Sequence, residues 1–173
     1  MMKILLTLLV SLNSFASSSS LYDAKLGDWK DSNGQTVQLD KFKGKKVVMS
    51  MVYTSCKSAC PLMIKKLTKI DKRLKEQKIA ATFVVVTFDA KYDTPSKLKT
   101  FREHQGASDD HWNFLVGSEK DTGFLSNLLE INFKRNPIDQ TINHDNKVIL
   151  LNEKGEIIHT LEGLAYDPED SLF

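Results

Sequence analysis

The 173-residue sequence is short of three things: cysteine, net charge and long hydrophobic runs. Its 24 basic and 22 acidic residues leave a formal charge of +2, so charge gives no reason to expect a nucleic acid or an acidic membrane surface as partner. The apolar run from Ile4 to Val10 is well below the roughly 20 residues that cross a bilayer. We expect no nucleic acid partner, no stable membrane insertion and a monomeric chain.

The scarcity of cysteine also argues against a small domain held together by disulfides. A chain of this length can bury a core of its own, so it does not depend on disulfides as the smallest secreted domains do. Hydrophobic residues make up 41% of the sequence and charged residues 27%, both ordinary for a soluble globular domain. No internal repeat is visible. We therefore predict one globular domain.

The N-terminal segment has the pattern of a secretory signal peptide. Lys3 precedes the apolar run, and Ser14 and Ala16 are placed like the small residues of a cleavage site. We predict a signal peptide over residues 1–16 that is cleaved near Ala16, export across the inner membrane and a periplasmic location, which is oxidising for thiols. An uncleaved anchor is the alternative. Residues 17–25 are predicted to be a flexible lead-in to a domain over 26–173.

The hydrophobic pattern alternates between strands and helices. Apolar, β-branched runs predict buried strands, and apolar residues at helical spacing after Pro61 predict a helix. Thr94, followed by Pro95, and Ser118 are predicted helix N-caps. The predicted elements are a strand over 46–54, a helix from Pro61 to about Lys78, a strand over 81–88, a helix from Pro95 to about His104, a strand over 112–116, a helix from Ser118 to about Glu130, and a hairpin of 147–151 and 156–161. This order predicts an α/β fold with sites beyond the carboxyl ends of its parallel strands.

Both cysteines lie in one stretch, YTSCKSACP, at residues 53–61. Pro61 suits the first turn of a helix and restricts the residue before it. We therefore predict that the helix begins at about Pro61 and that Cys56 and Cys60 lie in the loop that enters it. Free amides and the helix dipole at that end favour thiolates. A stapling disulfide is the alternative, but it would close a small loop and remove little chain entropy. A reactive or metal-binding pair is the better prediction.

Three motifs in this order resemble the SCO/SenC family of thioredoxin-like copper proteins. They are YTSCKSACP, DAKYDTPSKLKTF over 89–101, and NHDNKVILLNEKGEI over 143–157. The resemblance runs from about Leu26 to Leu161. It implies a thioredoxin-like fold, with a central mixed sheet flanked by helices and a C-terminal β-hairpin.

The same resemblance implies a copper site and a partner. The implied ligands of one copper ion, Cu(I) or Cu(II), are Cys56, Cys60 and His144. Family members help deliver copper to the dinuclear centre of cytochrome c oxidase, or reduce its cysteines. The implied partner is therefore a copper-accepting protein, a subunit of that oxidase.

This sequence departs from the family pattern in two places. Ala90 and Tyr92 stand where the family has proline and arginine, so whatever contact that arginine makes must differ here. The last nine residues of the sequence, AYDPEDSLF, are too few for the final helix that family members usually carry.

The four histidines are not ranked by their local sequence. His104, late in a helix, and His111, before a strand, are predicted to lie at the surface. His159 alternates with apolar residues along the last strand, which predicts a packed or edge position. His144 lies in a polar loop, INHDN, where a histidine would ordinarily be exposed to solvent. The family match makes His144 the expected ligand.

Other residues near the motifs have structural interpretations beside functional ones. Asp89 and Asp93 are predicted to serve turns and caps, with orientation of His144 or of a partner as the alternative. Three methionines near the cysteines are expected in the core, although thioethers also suit Cu(I): Met49, Met51 and Met63. Bases crowd the first long helix and predict a solvated face or, alternatively, a docking surface for an acidic partner: Lys65, Lys66, Lys69, Lys72, Arg73, Lys75 and Lys78.

These observations favour a copper metallochaperone. Soft thiolates with an imidazole select copper over hard cations, and three ligands leave an open side for transfer. Structural zinc is disfavoured because no fourth protein ligand is evident. The alternative is a thiol–disulfide oxidoreductase in which the more exposed thiol, predicted to be Cys56, attacks and Cys60 resolves. A peroxidase-like thiol enzyme has only the fold in its favour. Whether the chain is an enzyme stays open at this point.

Overall fold

The computed structural model describes residues 20–165 and 172–173. The predicted signal peptide lies outside the described residues, as does most of the segment after the last strand. Residues 20–25 are not the flexible lead-in that we predicted. Leu21 is buried in the core, and its backbone N–H donates to the carbonyl of Gly155 at 2.8 Å. No helix of the described part is long and apolar enough to cross a membrane.

Strands and helices alternate along the described chain. The strands are β1 Trp29–Asp31, β2 Thr36–Val37, β3 Val47–Val52, β4 Thr82–Thr87, β5 Trp112–Val116, β6 Phe133–Arg135, β7 Ile142–His144, β8 Lys147–Leu151 and β9 Ile157–Glu162. The α-helices are α1 Ala59–Glu76, α2 Pro95–His104 and α3 Glu119–Leu128. Short 3-10 helices lie at Leu21–Asp23 and Leu39–Phe42.

The main sheet of the described residues has seven strands in the order β2-β1-β5-β4-β3-β8-β9. β3, β4 and β5 are parallel to one another, and the remaining pairings are antiparallel. The sheet is therefore mixed, as predicted. β6 and β7 form a separate two-stranded sheet, in which Phe133 pairs with His144 and Arg135 pairs with Ile142.

The core lies on both faces of the central strands. Every residue of β3 and β4 is buried, which requires cover on both sides of the sheet. On α1, apolar residues at helical spacing supply part of that cover, with Ile64, Leu67 and Ile70 almost fully buried. The predicted Met49, Met51 and Met63 are also core residues, each no more than 2% exposed.

Most predicted elements agree with the structure, and the N-caps are observed as hydrogen bonds. Thr94 Oγ1 accepts from the N–H of Lys97, and Ser118 Oγ accepts from the N–H of Asp121. The sequence reading missed the short strands β1 and β2 and the β6–β7 hairpin. These strands have two or three residues each, too few to show a period.

The topology brings three segments to one edge of the sheet. The chain leaving β3 carries the cysteines, and the chain leaving the parallel strand β4 carries Asp89 and Asp93. β8 runs antiparallel to β3, with Ser50 opposite Val148, so the beginning of β8 lies beside the end of β3. His144 comes just before β8 and is therefore delivered to the same edge.

Candidate metal centre

The cysteine loop connects β3 to α1, and it ends differently from our prediction. The helix begins at Ala59, so Cys60 lies in its first turn and not in the preceding loop. Pro61 is tolerated at the third helical residue because the first N–H groups of a helix have no intrahelical acceptor to lose. Ser58 at the N-cap makes no side-chain capping bond. The amides at this end are therefore available to the sulfur atoms.

The two thiols are held by backbone amides. Cys56 Sγ accepts from the N–H of Cys60 at 3.4 Å, and Cys60 Sγ accepts from the N–H of Tyr53 at 3.4 Å. Both cysteines are free, Cys56 at 9% and Cys60 at 0% relative exposure. The stapling disulfide is not formed in this structure.

The electrostatics of the two thiols differ. Burial acts to raise the pKa of the Cys56 thiol, but hydrogen bonds from the backbone amides of Cys60 and Ser58 outweigh it and hold that pKa below its ordinary value. Burial raises the pKa of the Cys60 thiol far above its ordinary value, and the nearby charges of Cys56 and Asp93 raise it further. Of the two thiols, Cys56 therefore forms a thiolate more readily in the metal-free protein.

His144 ends strand β7, where we had predicted a loop. Its Nδ1 atom lies 2.9 Å from the backbone carbonyl oxygen of Asp145. A carbonyl can only accept, so Nδ1 carries a proton, and in the neutral imidazole Nε2 then has the free lone pair. Nε2 faces the thiols, 3.9 Å from Cys60 Sγ. This is the tautomer that a metal ligand needs.

Aromatic rings enclose the imidazole. The Phe88 ring lies with its centroid 4.8 Å from that of His144, and the Tyr53 ring meets His144 edge-on at 5.9 Å. Phe88 also packs against Phe133, at 5.0 Å, in the strand that pairs with β7. These rings restrict the orientation of His144.

The three predicted ligands converge. Cys56 Sγ, Cys60 Sγ and one imidazole nitrogen of His144 all lie within 4.8 Å of one another. Metal bonds to sulfur and nitrogen are about 2.0–2.3 Å long in zinc sites, so donors around one ion lie within about 4.6 Å. The spacing therefore fits one metal ion after a small adjustment. No other Cys, His or carboxylate of the described residues joins this group, so it offers a metal ion three protein ligands.

A second group of potential ligands lies elsewhere and is already occupied by side chains. Asp71, Asp109 and His111 offer atoms within 4.8 Å of one another. The Lys75 ammonium, however, lies 3.0 Å from Asp71 and 2.9 Å from Asp109. His111 Nε2 is 3.0 Å from the same Asp71 carboxylate. We interpret this group as an ion-pair network.

The remaining histidines lie away from the thiol cluster. His104 is exposed at the end of α2, and His159 is exposed on the edge strand β9, both as predicted. His111, which we predicted at the loop surface, is only partly exposed because it contacts Asp71 and the ring of Phe83. His144 is thus the described histidine that meets the cysteines.

Asp89 makes the predicted turn bond, and both aspartates also contact segments that carry the proposed ligands or pair with them. Asp93 is 5% exposed and accepts from the backbone N–H and hydroxyl of Thr54 and from the hydroxyl of Thr87. Asp89 is 3% exposed and accepts from the N–H of Tyr92 at 3.3 Å, a turn bond. Asp89 also pairs with the guanidinium of Arg135. One aspartate therefore holds the cysteine loop and the other holds the hairpin that carries His144.

The prediction of a solvated basic face on α1 is wrong for one residue. Most of its bases are exposed or partly exposed, but Lys66 is 2% exposed. Its ammonium donates to the carbonyl oxygens of Glu162 at 3.3 Å and Gly163 at 3.0 Å. Lys66 therefore fastens α1 to the end of β9 and does not belong to a solvated face.

Sequence reasoning missed Thr54 and Arg135 as residues of the site. Thr54 was visible in the motif YTSCKSACP but had no predicted role. Arg135 lies in β6, in a segment without any recognised motif. The sequence held one indirect signal for Arg135, which is that position 92 is tyrosine where the family has arginine. In the structure the Arg135 guanidinium lies over the Tyr92 ring, 5.1 Å from its centroid.

Comparison with known proteins gives a consistent result. The model of the SCO1/SenC family matches residues 28–172. The SCO1 protein homolog of Bacillus subtilis (strain 168) is 27% identical over 154 residues, which cover 87% of this chain and 79% of that protein.

Solved structures agree with the sequence comparison. A SCO1/SenC family lipoprotein from Bacillus anthracis str. Ames superposes with a TM-score of 0.76 at 25% identity, covering 83% of this chain and 86% of that chain. Copper-bound ScoI of Bradyrhizobium japonicum superposes with a TM-score of 0.70 at 22% identity, covering 84% and 94% of the two chains. At 22% identity, the likeness to Bradyrhizobium japonicum ScoI shows a shared fold. Together these likenesses confirm the predicted α/β, thioredoxin-like architecture.

Proposed function

The chain belongs to the SCO1/SenC family, and from this membership and the geometry of its site we propose that it binds one copper ion and passes it to another protein. Copper is the cargo in this proposal. Cys56, Cys60 and His144 are the proposed ligands, and the observation that carries the proposal is their convergence within 4.8 Å.

The chemistry of the donors supports copper. Two thiolates and an imidazole form a soft set that suits Cu(I) and also binds Cu(II) more tightly than the other common divalent ions. The described residues offer this cluster no carboxylate, the donor that Ca²⁺ or Mg²⁺ would need. A structural zinc ion takes four protein ligands, whereas this cluster offers three. A fourth coordination position without a protein ligand would let an acceptor's ligand bind the metal before the chain's own ligands release it.

The acceptor that we propose follows from the family. Resemblance to the SCO/SenC proteins points to a subunit of cytochrome c oxidase that receives its dinuclear copper centre. A periplasmic location, reached through the predicted signal peptide, would place this chain beside that acceptor. Both statements belong to the proposal and rest on family membership and on the pattern of residues 1–16.

Thiol–disulfide exchange with partner cysteines is the second candidate, and one observation favours it. Cys56 has a lowered pKa and some exposure, while Cys60 is buried beside it with a raised pKa. Attacking and resolving thiols in oxidoreductases differ in this way. The two functions use the same atoms, so they exclude each other at any one moment but can alternate with the redox state.

A titration tests the copper proposal directly. The reduced chain is titrated with Cu(I) and with Cu(II), and we expect one tightly bound copper per chain and thiolate-to-Cu(II) charge-transfer absorption. Cys56→Ser and Cys60→Ser should abolish tight binding, and His144→Ala should weaken it and shift the absorption. His159→Ala, at an exposed histidine on the edge strand, is the matched control. Undiminished binding with an unchanged spectrum in His144→Ala would remove His144 from the site.

A further inference from the structure

The hairpin that delivers His144 is separate from the main sheet. β6 and β7 pair only with each other among the described strands. No ladder of the seven-stranded sheet therefore fixes the position of β7. The continuation of the chain into β8 sets where the backbone goes, but side-chain contacts must set where the imidazole points.

Besides the rings of Phe88 and Tyr53, which contact the imidazole itself, two residues of β6 hold the hairpin through their side chains, and they point to the same side. Phe133 and Arg135 are two positions apart in a strand, so their side chains share a face. Phe133 packs on Phe88, which also packs on the His144 ring. Arg135 donates to the Asp89 carboxylate and, at 3.0 Å, to the carbonyl oxygen of Gln140. The apolar contact fills space, whereas the ion pair has a fixed direction.

The Asp89 carboxylate depends on this guanidinium. The Asp89 side chain is 4% exposed and the Arg135 side chain 27% exposed. Arg135 is the cationic partner of Asp89 among the described ion pairs. Removing one member of such a pair leaves a buried charge uncompensated, which strongly destabilises the arrangement. The ion pair between Arg135 and the buried Asp89 carboxylate therefore links the β6–β7 hairpin to the segment after β4.

The guanidinium also lies where the sequence departs from the family pattern. Tyr92 occupies the position of the family's arginine, and its ring lies beneath Arg135 at 5.1 Å. The backbone N–H of Tyr92 bonds to Asp89 at 3.3 Å. Position 92 is therefore close enough to the carboxylate for a long basic side chain there to reach it. In this chain the cation beside Asp89 comes from the hairpin that bears His144.

We propose that Arg135 is a positioning residue for His144: its ion pair with Asp89 clamps the β6–β7 hairpin and thereby sets the reach of the imidazole to Cys56 and Cys60. The inference rests on the proposed copper function. It adds a residue outside the three family motifs to the determinants of metal binding. It also accounts for the presence of a guanidinium beside Asp89 when position 92 is tyrosine.

The test uses the reduced full chain and copper(II) as the probe. In Arg135→Gln, copper affinity should fall about 10- to 100-fold, as it does when groups that orient a metal's ligands are removed. The nitrogen hyperfine splitting from His144 in the electron paramagnetic resonance spectrum should weaken, a signature that a loss of stability alone would not change. Lys134→Gln, which removes one positive charge from the exposed neighbour on the same strand, is the matched control and should match the wild type.

A rescue variant makes the test specific. Arg135→Gln combined with Tyr92→Arg returns a guanidinium to Asp89 from the other side, and we expect it to restore most of the affinity and the nitrogen splitting. Asp89→Asn removes the pair without leaving a buried charge, and it should lose the nitrogen splitting as Arg135→Gln does. If Arg135→Gln does not fold, Asp89→Asn carries the test alone.

The outcomes separate this inference from the proposed function. A wild-type chain that binds no copper overturns the proposed function. A wild-type chain that binds copper, with Arg135→Gln or a folded Asp89→Asn showing the same affinity and the same nitrogen splitting, overturns only the positioning role of Arg135. An equal loss in Lys134→Gln would also overturn it, because the effect would then follow from net charge.

Discussion

The Nε2 atom of His144 lies 3.9 Å from the Sγ atom of Cys60, although 84 positions separate these residues in the chain. The contact joins the first turn of α1 to the end of β7. It exists because β8 pairs antiparallel with β3 and so brings both segments to one edge of the sheet. The properties of the site therefore depend on two separately held segments, and the following predictions examine each one.

The thiols should differ in their reactivity toward an alkylating reagent. Hydrogen bonds lower the pKa of Cys56, so Cys56 should form its thiolate below the ordinary cysteine pKa of about 8.5. The pKa of Cys60 is raised, so Cys60 should remain a protonated thiol across neutral pH. Iodoacetamide modification of the reduced, metal-free chain, followed by peptide mass spectrometry over a pH series, measures both. Faster modification of Cys60 than of Cys56 at neutral pH would contradict the assignment.

Oxidation of the pair should abolish copper binding. A disulfide removes both thiolates, which leaves His144 as the one proposed ligand. The oxidised chain should have a mass lower by two hydrogens and retain no stoichiometric copper after dialysis, and reduction should restore binding. The reduced chain carried through the same dialysis is the control. Tight copper binding by the disulfide form would place the site elsewhere.

Covalent trapping separates copper delivery from thiol exchange. In an oxidoreductase, the variant that lacks the resolving thiol keeps a mixed disulfide with its partner, whereas the variant that lacks the attacking thiol does not. A copper carrier needs both thiolates, so Cys56→Ser and Cys60→Ser should fail alike and trap nothing. We expect this symmetric result on non-reducing gels from cells that make the oxidase, with oxidase copper loading measured in parallel. A trapped partner in Cys60→Ser alone would favour the oxidoreductase.

The cysteine loop should lose stability when Asp93 loses its charge. The carboxylate accepts from the N–H and hydroxyl of Thr54 and from the hydroxyl of Thr87. The amide of Asp93→Asn has one oxygen, so at least one donor loses its acceptor. The free energy of unfolding should fall by about 1.5–3 kcal/mol, the scale for hydrogen bonds to charged groups. Urea unfolding measures it, with Asp110→Asn at an exposed position as control. Equal stability of the two variants would show that Asp93 does not hold the loop.

The connection between α1 and β9 should depend on Lys66. Lys66→Met keeps the length of the buried stem but removes the donor to the carbonyls of Glu162 and Gly163. The variant should lose about 1.5–3 kcal/mol of unfolding free energy, the scale for hydrogen bonds that involve a charged group. Lys69→Met on the exposed face of the same helix should change it far less. A stable Lys66→Met protein would mean that the buried ammonium costs as much as its hydrogen bonds contribute.

Local chemistry determined which elements form. The period of the apolar residues predicted β3, β4, β5 and the α-helices, and α2 has the predicted bounds of Pro95 to His104. Thr94 and Ser118 were predictable as N-caps because a cap bonds to an amide only three residues away. The start of α1 was not, since Pro61 is compatible with several positions in the first turn.

The pair of cysteines was evident from the sequence as a site, but the third ligand was not. Spacing and the following helix predict reactive thiols at positions 56 and 60. Nothing in the local sequence of His144 distinguishes it from an exposed loop histidine, and only the family motif indicated it. What decides its role is the antiparallel register between β3 and β8, a relation between distant segments.

The charged groups around the site were decided by the tertiary structure alone. A sequence pattern reports whether a lysine or arginine lies in a helix or strand, but not which distant carbonyl or carboxylate it reaches. Lys66 and Arg135 each find their partners across the fold, at Gly163 and Asp89 respectively. Burial makes these contacts obligatory, because a charge removed from water requires a compensating partner. Such a partner exists only once the sheet has brought the segments together.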